Sequence, residues 1–224
     1  HMLNQVLDSV RNISDEADIP YAVEHLIQHV WGATAMFHPP LYGLHAAAVV
    51  DTHGAVSLFV GESGVGKSSL VASLAFLHGF RYLTDDFTLV DGRSLRVYGR
   101  PWRIEVREGA ARHLWPKAQP QGHRVGDKIV LDAQEHVNTA VSGDVRTVFL
   151  VTRGDVTTVS SLTVAALREG LGAPISMFIG SEDVSRGHEP VFDALAARVE
   201  GYGLTLNHDD GIARAATAVR DILG

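Results

Sequence analysis

The chain has 224 residues, of which 46% are hydrophobic and 20% are charged, and its formal net charge is −7. Such a chain is long enough for one sizeable domain with a hydrophobic core. The acidic balance counts against a non-specific nucleic-acid surface or an anionic-membrane surface, because Lys and Arg would have to dominate there. The chain has no cysteine, which excludes disulfides and thiolate metal sites.

The ends of the sequence add expectations about organisation and location. We interpret His1 and Met2 as a cloning remnant and expect residues 3–224 to form a single domain. No apolar run reaches the length of a membrane-spanning helix, and the start shows no secretory signal pattern. The sequence therefore predicts a cytoplasmic protein with no nucleic-acid partner and no membrane partner.

The first half of the chain predicts two helices followed by a hairpin and a third helix. Hydrophobic spacing predicts helices over residues 3–17 and 20–31, before a break at Pro39 and Pro40. Two apolar runs, 44–51 and 55–62, are predicted to be strands joined by a short turn. A helix is expected over 66–78, with Gly79 as its stop and one apolar stripe formed by Leu70, Leu74 and Leu77.

The rest of the chain predicts a mixture of strands and helices. Residues 81–91 are predicted to form one strand, with 94–100 as its hairpin partner, and the sequence gives no detailed pattern over 101–145. Further elements are expected as strands at 145–153, 155–163 and 202–207, and as helices at 164–171, 190–200 (proline in the first turn) and 209–223 (acidic start). Together these patterns predict an α/β domain with a mixed sheet, because hairpins interrupt the βαβ alternation.

A glycine-rich segment, GESGVGKSS, lies between the second predicted strand of the hairpin and the helix that follows it. Its pattern, G-x-x-x-x-G-K-S, is that of a P-loop, in which backbone amides hold phosphates, the lysine contacts the β- and γ-phosphates, and the hydroxyl binds Mg²⁺. The sequence therefore predicts a site for ATP or another nucleoside triphosphate with Mg²⁺. The predicted nucleotide-binding residues are Gly61, Glu62, Ser63, Gly64, Val65, Gly66, Lys67, Ser68 and Ser69.

Two adjacent carboxylates, Asp85 and Asp86, interrupt the apolar run at 81–91. Charged groups in a buried strand are costly unless a metal or a partner compensates them. We expect this strand to return beside the P-loop strand and to bring a carboxylate near the γ-phosphate and Mg²⁺. The alternative is that the pair lies at an exposed strand end.

His45 opens the first strand of the hairpin. A histidine in that place is usually structural, and the sequence has no H-E-x-x-H or comparable spacing that indicates a metal site.

His45, the loop at 61–69 and the pair Asp85–Asp86 occur in an order that resembles the catalytic domain of the HPr kinase/phosphorylase family, whose core is similar to that of phosphoenolpyruvate carboxykinase. The resemblance implies a mixed-sheet P-loop fold of that type. It also implies that Asp85 acts as the general base, that Ser68 and Asp86 hold Mg²⁺, and that Lys67 and His45 complete the catalytic site. HPr kinases are hexamers, so the resemblance permits a homo-oligomer.

The implied activity is phosphoryl transfer from ATP to a serine-type hydroxyl of a peptide or protein. The chain also resembles short HPr-kinase-like proteins found beside peptide-modifying genes, some of them similar to lasso-peptide kinases. This similarity implies that the acceptor is the precursor of a lasso peptide or of another ribosomally made, modified peptide (RiPP).

Three basic residues near predicted strand ends, Arg103, Lys128 and Arg153, are candidates for holding carboxylate or phosphate groups of the acceptor. Two other functions stay open from the residues alone. One is a nucleotide-binding regulatory module with slow hydrolysis, although the sequence has no NKxD motif of guanine specificity. The other is a small-molecule kinase whose acceptor pocket is built by residues 101–145.

Overall fold

The computed structural model describes residues 41–116, 120, 122–172, 182–208 and 211–224, together with four helical positions at 23, 26, 27 and 30. The predicted helix over 3–17 lies outside the described residues. The four described positions within 20–31 agree with the helix predicted there.

A hairpin and a helix surround the glycine-rich loop, as predicted. From residue 41 the chain forms strands β1 (Leu41–Leu44), β2 (Ala46–Val50) and β3 (Ala55–Val60), followed by helix α1 (Lys67–His78), which ends before Gly79. Strand β2 is buried along its whole length because both faces of the sheet are covered, which explains its continuous apolar run. The predicted apolar stripe on α1 is correct for Leu70 and Leu74, but Leu77 is 54% exposed.

The prediction of one strand over 81–91 is wrong. The chain forms β4 (Arg81–Thr84) and β5 (Thr88–Asp91), separated by a bend at residues 85–87, and β6 (Arg96–Tyr98) then pairs with β5 as predicted. The expected position beside the P-loop strand is also wrong, because β4 pairs with β2, which lies between β4 and β3. The bend lets both carboxylates reach a cavity rather than be packed inside the sheet.

A small antiparallel sheet forms within residues 101–145, for which no particular elements are predicted. It consists of β7 (Arg103–Arg107), β8 (His123–Val125) and β9 (Lys128–Asp132) in the order β7-β9-β8. Two short helices, α2 (Glu108–Leu114) and α3 (Ala133–His136), follow β7 and β9. One face of this sheet is apolar and buried, with Ile104, Val106, Ile129 and Leu131 in the core.

The C-terminal part contains the longest strand, β10 (Ser142–Arg153), then β11 (Thr158–Ser161), α4 (Val164–Gly172), α5 (Glu182–Arg198), β12 (Glu200–Leu206) and α6 (Gly211–Leu223). The strands and the first and last helices agree with the predicted elements. Helix α5 begins earlier than predicted, so that Pro190 lies inside it rather than in its first turn. Helix α6 has no acidic residue in its first turn, and the predicted acidic start at 209–210 lies outside the described residues.

The main sheet contains nine strands and is mixed, as predicted. Its order is β1-β5-β6-β10-β3-β2-β4, and β12 joins β10 to β11. Strand β10 runs parallel to β3 and β12, whereas the other pairs are antiparallel. Helices α1 and α6 and the small sheet pack on one face, around the stacked rings of Phe59 and Phe149, whose centroids lie 5.1 Å apart. Helices α4 and α5 cover the other face through Leu167 and Leu195.

The main sheet must curl, because its connections are too short for a flat sheet. In a flat sheet β4 and β5 would stand five strand spacings apart, about 24 Å, whereas a link of three residues reaches about 14 Å. A single residue, His45, likewise joins β1 to β2. The two ends of the strand order therefore lie close together, with both connections at their junction. Within the described ranges, no helix has both the length and the apolar character needed to cross a bilayer.

Candidate functional site

The loop between β3 and α1 is fixed by close backbone packing. A Cβ atom on Gly61 would lie 2.3 Å from the Val151 carbonyl oxygen of β10, so only glycine allows the two strands to approach there. Gly66 precedes α1 with φ of 110°, a left-handed conformation that favours glycine. The loop therefore turns sharply from the carboxyl end of β3 into the first turn of α1, where backbone N–H groups have no partners within the helix.

The Lys67 ammonium lies inside this turn, and the residue as a whole is 5% exposed. Its Nζ donates hydrogen bonds to the carbonyl oxygens of Gly61 and Glu62, both at 2.9 Å, and lies 3.1 Å from His45 Nε2. Burial lowers the pKa of Lys67 to about 8, against the opposing charges of Asp86 and Asp85. The loop thus wraps around one cation whose charge is only partly compensated.

His45 connects this cation to the carboxylate pair. Since an ammonium only donates hydrogen bonds, His45 Nε2 must accept from Lys67, and a neutral ring then carries its proton on Nδ1. His45 Nδ1 lies 3.1 Å from Asp86 Oδ1, and the Asp86 side chain is 44% exposed. The histidine therefore fixes the relative positions of Lys67 and Asp86.

The Asp85 carboxylate is buried beside a third carboxylate, that of Glu105. Asp85 Oδ2 accepts a hydrogen bond from the Glu105 backbone N–H at 3.1 Å. The backbone carbonyl oxygen of Asp85 accepts one from Ser68 Oγ at 3.3 Å. Burial raises the pKa of Asp85 to about 7, and the charges of Glu105 and Asp86 act in the same direction. The Glu105 N–H and the charge of Arg103 oppose the shift. The pKa of Asp85 therefore lies near neutral pH, where its carboxylate can take up a proton.

Glu105 is a site residue that the sequence reasoning missed. Its side chain lies between two cations, at 2.9 Å from Arg103 Nη2 and 2.6 Å from Lys128 Nζ. The signal was the alternation in RIEVR, where Ile104 and Val106 are buried, so that Arg103, Glu105 and Arg107 share the opposite face. The predicted substrate residues Arg103 and Lys128 are therefore partners of this carboxylate.

One cavity of about 730 Å³ brings most of the predicted residues together. It is lined by the loop from Ser63 onwards, by His45, by both aspartates and by Arg103, Lys128 and Arg153. Three loop residues do not line it: Gly61 packs on Val151, Glu62 contributes its carbonyl oxygen to Lys67, and Val65 belongs to the hydrophobic core. Lining residues that the sequence reasoning did not single out are Glu105, Arg107, Glu108, Gly109, Ala110, Arg112, His113, Asp127, His208, Gly211 and Ile212.

The predicted Mg²⁺ ligands, Ser68 and Asp86, both line this cavity. Among the described residues, no group of three or more His, Asp or Glu side chains could hold a metal ion by itself. Mg²⁺ usually keeps several waters and binds through one or two carboxylates together with substrate phosphates. One hydroxyl and one carboxylate beside the loop fit that mode of binding.

Comparisons with known proteins give a likeness to solved structures only. No protein-family model matches the chain, and no curated protein matches it. Among solved structures, the chain is similar to the HPr(Ser) kinase/phosphatase from Coxiella burnetii, with a TM-score of 0.42 and 11% sequence identity over 81% of this chain and 95% of that chain. A likeness this remote carries no argument about the function of this chain.

Proposed function

We propose that this chain is a Mg²⁺-dependent kinase that transfers the γ-phosphoryl group of ATP to a serine-type hydroxyl of a peptide or protein. The observation that carries the proposal is the meeting of the loop, Lys67 and the carboxylate pair in one cavity. The contacts from Lys67 through His45 to Asp86, at 3.1 Å each, link the phosphate-binding side to the acidic side.

The loop provides an anion-binding surface of the P-loop type. The amides at the start of α1 and the positive end of its helix dipole favour phosphate oxygens. Lys67 adds one positive charge from within the turn, and its present hydrogen bonds to loop carbonyls keep it there before the nucleotide arrives. Mg²⁺ held by Ser68 and Asp86 would neutralise charge on the β- and γ-phosphates.

Asp85 is the group suited to remove the proton from the acceptor hydroxyl. A general base works best when its pKa lies near the working pH, and the pKa of Asp85 is raised to about 7. The Glu105 N–H fixes the orientation of its carboxylate, and Ser68 anchors its backbone. In this proposal His45 is a positioning residue, because it contacts both Lys67 and Asp86.

The peptide class of the acceptor follows from the sequence resemblance rather than from the cavity. Precursors of lasso peptides and other RiPPs that carry a C-terminal serine are therefore the first acceptors to assay.

The decisive experiment is mass spectrometry of such peptides after incubation with Mg-ATP and the protein. We expect a phosphorylated serine with the wild type, and a loss of rate of about 10²- to 10⁴-fold for Asp85→Asn, the range typical of a lost general base. Lys67→Ala should lower the rate at least as much. The matched control is Asp144→Asn, because Asp144 is exposed, pairs with Arg96 and lies outside the cavity. An Asp85→Asn variant with the wild-type rate would remove the base assignment.

The same incubation separates the two other functions. A regulatory nucleotide-binding module predicts tight Mg-ATP binding with slow release of inorganic phosphate and no phosphopeptide. A small-molecule kinase predicts a phosphorylated metabolite when the protein is incubated with a cell extract from which peptides have been removed. Either result, with every serine peptide unmodified, would contradict the proposed acceptor class.

A further inference from the structure

Two arginines from different sheets lie against the phosphate loop. Arg107 ends β7 in the small sheet, and Arg153 ends β10 in the main sheet. A Cβ atom on Gly64 would lie 3.8 Å from Arg107 Nη2, and one on Gly66 would lie 3.1 Å from Arg153 Nη2. Each guanidinium group therefore lies close to one loop glycine, on the side of the loop that lines the cavity.

This arrangement concentrates positive charge that the protein only partly compensates. Arg153 Nη1 donates to the carbonyl oxygen of Asn207 at 2.9 Å, an acceptor without a full negative charge. Arg107 Nε lies 3.7 Å from an Asp127 carboxylate oxygen, and both side chains are well exposed. An exposed ion pair of this kind contributes little free energy. Burial and the charge of Arg107 both lower the pKa of Arg153, as expected for two cations that approach each other. Lys67 adds a third cation to the lining of the same cavity.

We infer that Arg107 and Arg153 form a clamp that binds the polyphosphate chain of the nucleotide against the loop. This inference rests on the proposed function, since it assigns the donor side of the same cavity. Guanidinium groups bind phosphate oxygens through two parallel hydrogen bonds, and a polyphosphate supplies the negative charge that would let the two arginines remain close. Arg153, which the sequence predicted to hold the acceptor, is therefore assigned to the donor.

The clamp also explains why both sheets border one cavity. The loop and Arg153 belong to the main sheet, whereas Arg107 belongs to the small sheet that carries Glu105 and Lys128. A polyphosphate that contacts both arginines joins the two sheets through one ligand. The shared chemistry is that of a linear polyphosphate, and it comes either from a nucleoside triphosphate or from inorganic tripolyphosphate.

The test is calorimetric titration of the whole chain with Mg-ATP and with magnesium tripolyphosphate, without any peptide. Each of Arg107→Ala and Arg153→Ala should weaken binding of both ligands by about 10- to 100-fold, as expected for one lost charge-assisted contact. Arg107→Lys and Arg153→Lys should recover only part of the loss, because lysine keeps the charge but not the paired donors. Arg96→Ala is the matched control, since Arg96 lies on β6 outside the cavity, and its affinity should equal that of the wild type.

The lysine variants keep a long cationic side chain at each position, so they are less prone to misfold than the alanine variants. Thermal melting of every variant verifies that it is folded. If both alanine variants bind the two ligands with unchanged affinity but have a raised KM for a serine peptide, the clamp is overturned. The arginines would then contact the acceptor. An effect on ATP but not on tripolyphosphate would also overturn it, because the contact would then lie on the nucleoside.

Failure of the clamp and failure of the proposed function give different results. Tight, arginine-dependent binding of both ligands without any phosphorylated product supports the clamp and contradicts the kinase proposal. Phosphopeptide formation with arginine-independent nucleotide affinity supports the kinase and contradicts the clamp. A wild-type chain that binds neither ligand contradicts both.

Discussion

The Asp85 carboxylate carries a cost in stability that its neighbours do not remove. Arg103, whose charge opposes the raised pKa of Asp85, forms an ion pair with Glu105, as does Lys128. Glu105 and Asp86 both disfavour a second negative charge close by. Residues held in an unfavourable state of this kind are typical of active sites, where stability is given up for reactivity.

We therefore expect Asp85→Asn to stabilise the metal-free protein. The pKa of Asp85 is about 7 in the folded chain, against an ordinary value of 3.8. As the pH rises above about 4, the unfolded chain loses this proton first, so the folded state is progressively disfavoured until about pH 7. The asparagine amide has no charge to bury, and its oxygen still accepts from the Glu105 N–H. The gain in unfolding free energy should increase over this interval, reach a few kcal/mol at most, and level off above it.

The measurement is thermal denaturation in the presence of a chelator at several values between about pH 5 and pH 8. Asp144→Asn serves as the control, because Asp144 is largely exposed and its replacement should give a small, nearly constant change. A stabilisation of Asp85→Asn that does not depend on pH would show that the Asp85 carboxylate titrates normally in the folded chain.

At the scale of the elements, two interruptions in neighbouring strands create the acidic side of the site. Strand β1 pairs with β5 as β2 pairs with β4, and the register runs from Ala48 opposite Thr84 to Leu44 opposite Thr88. The interruption at His45 therefore lies beside the bend at residues 85–87. This alignment places the imidazole next to Asp86 although 40 residues separate them in the chain.

Sequence reasoning found the local elements and the residues but not this alignment. The apolar runs, the helical spacing of the leucines and the glycines predicted β2, β3 and α1 correctly, because these signals are local. The run at 81–91 contains enough apolar residues to read as one strand, and only the cost of burying Asp85 and Asp86 argued for a break. Glu105 and Arg107 were missed because their role depends on how the small sheet packs against the loop, which no local pattern encodes.

The contact between the loop and β10 gives a prediction at this scale. Gly61→Ala should destabilise the protein by about 1 to 3 kcal/mol or more, because the new methyl group would meet a backbone oxygen of Val151 that cannot move without shifting β10. The same displacement should weaken Mg-ATP binding. Gly109→Ala is the matched control for stability, since its Cβ would have nothing within 4 Å and alanine favours the helix by about 1 kcal/mol. Chemical denaturation of both variants makes the comparison, and a Gly61→Ala variant as stable as Gly109→Ala would contradict the tight approach.

At the scale of the whole molecule, the cavity is a basic region in an acidic protein. Among the residues that the structure describes, six Lys and Arg residues line it but only five Asp and Glu residues do, whereas the whole chain has 19 of the former and 26 of the latter. These groups come from the end of the loop, the bend at 85–87, the small sheet with helix α2, and the end of β10. The net charge of the chain therefore describes its surface as a whole and not this cavity. A local basic pocket can attract polyphosphate although the whole molecule carries a negative charge.

A ligand that contacts so many separate parts of the chain should bind only the folded state, and it should stabilise the whole described core at once. We expect Mg-ATP to raise the melting temperature of the wild type, with about 1.4 kcal/mol of added stability for each tenfold excess over the dissociation constant. Lys67→Ala is expected to melt at a different temperature without ligand, since two loop carbonyls lose their donor, so the shift caused by Mg-ATP is the quantity to compare. That shift should be small in Lys67→Ala and complete in Arg96→Ala. Equal shifts in both variants would mean that the nucleotide binds elsewhere, because a triphosphate in this loop cannot avoid the cation that the loop encloses.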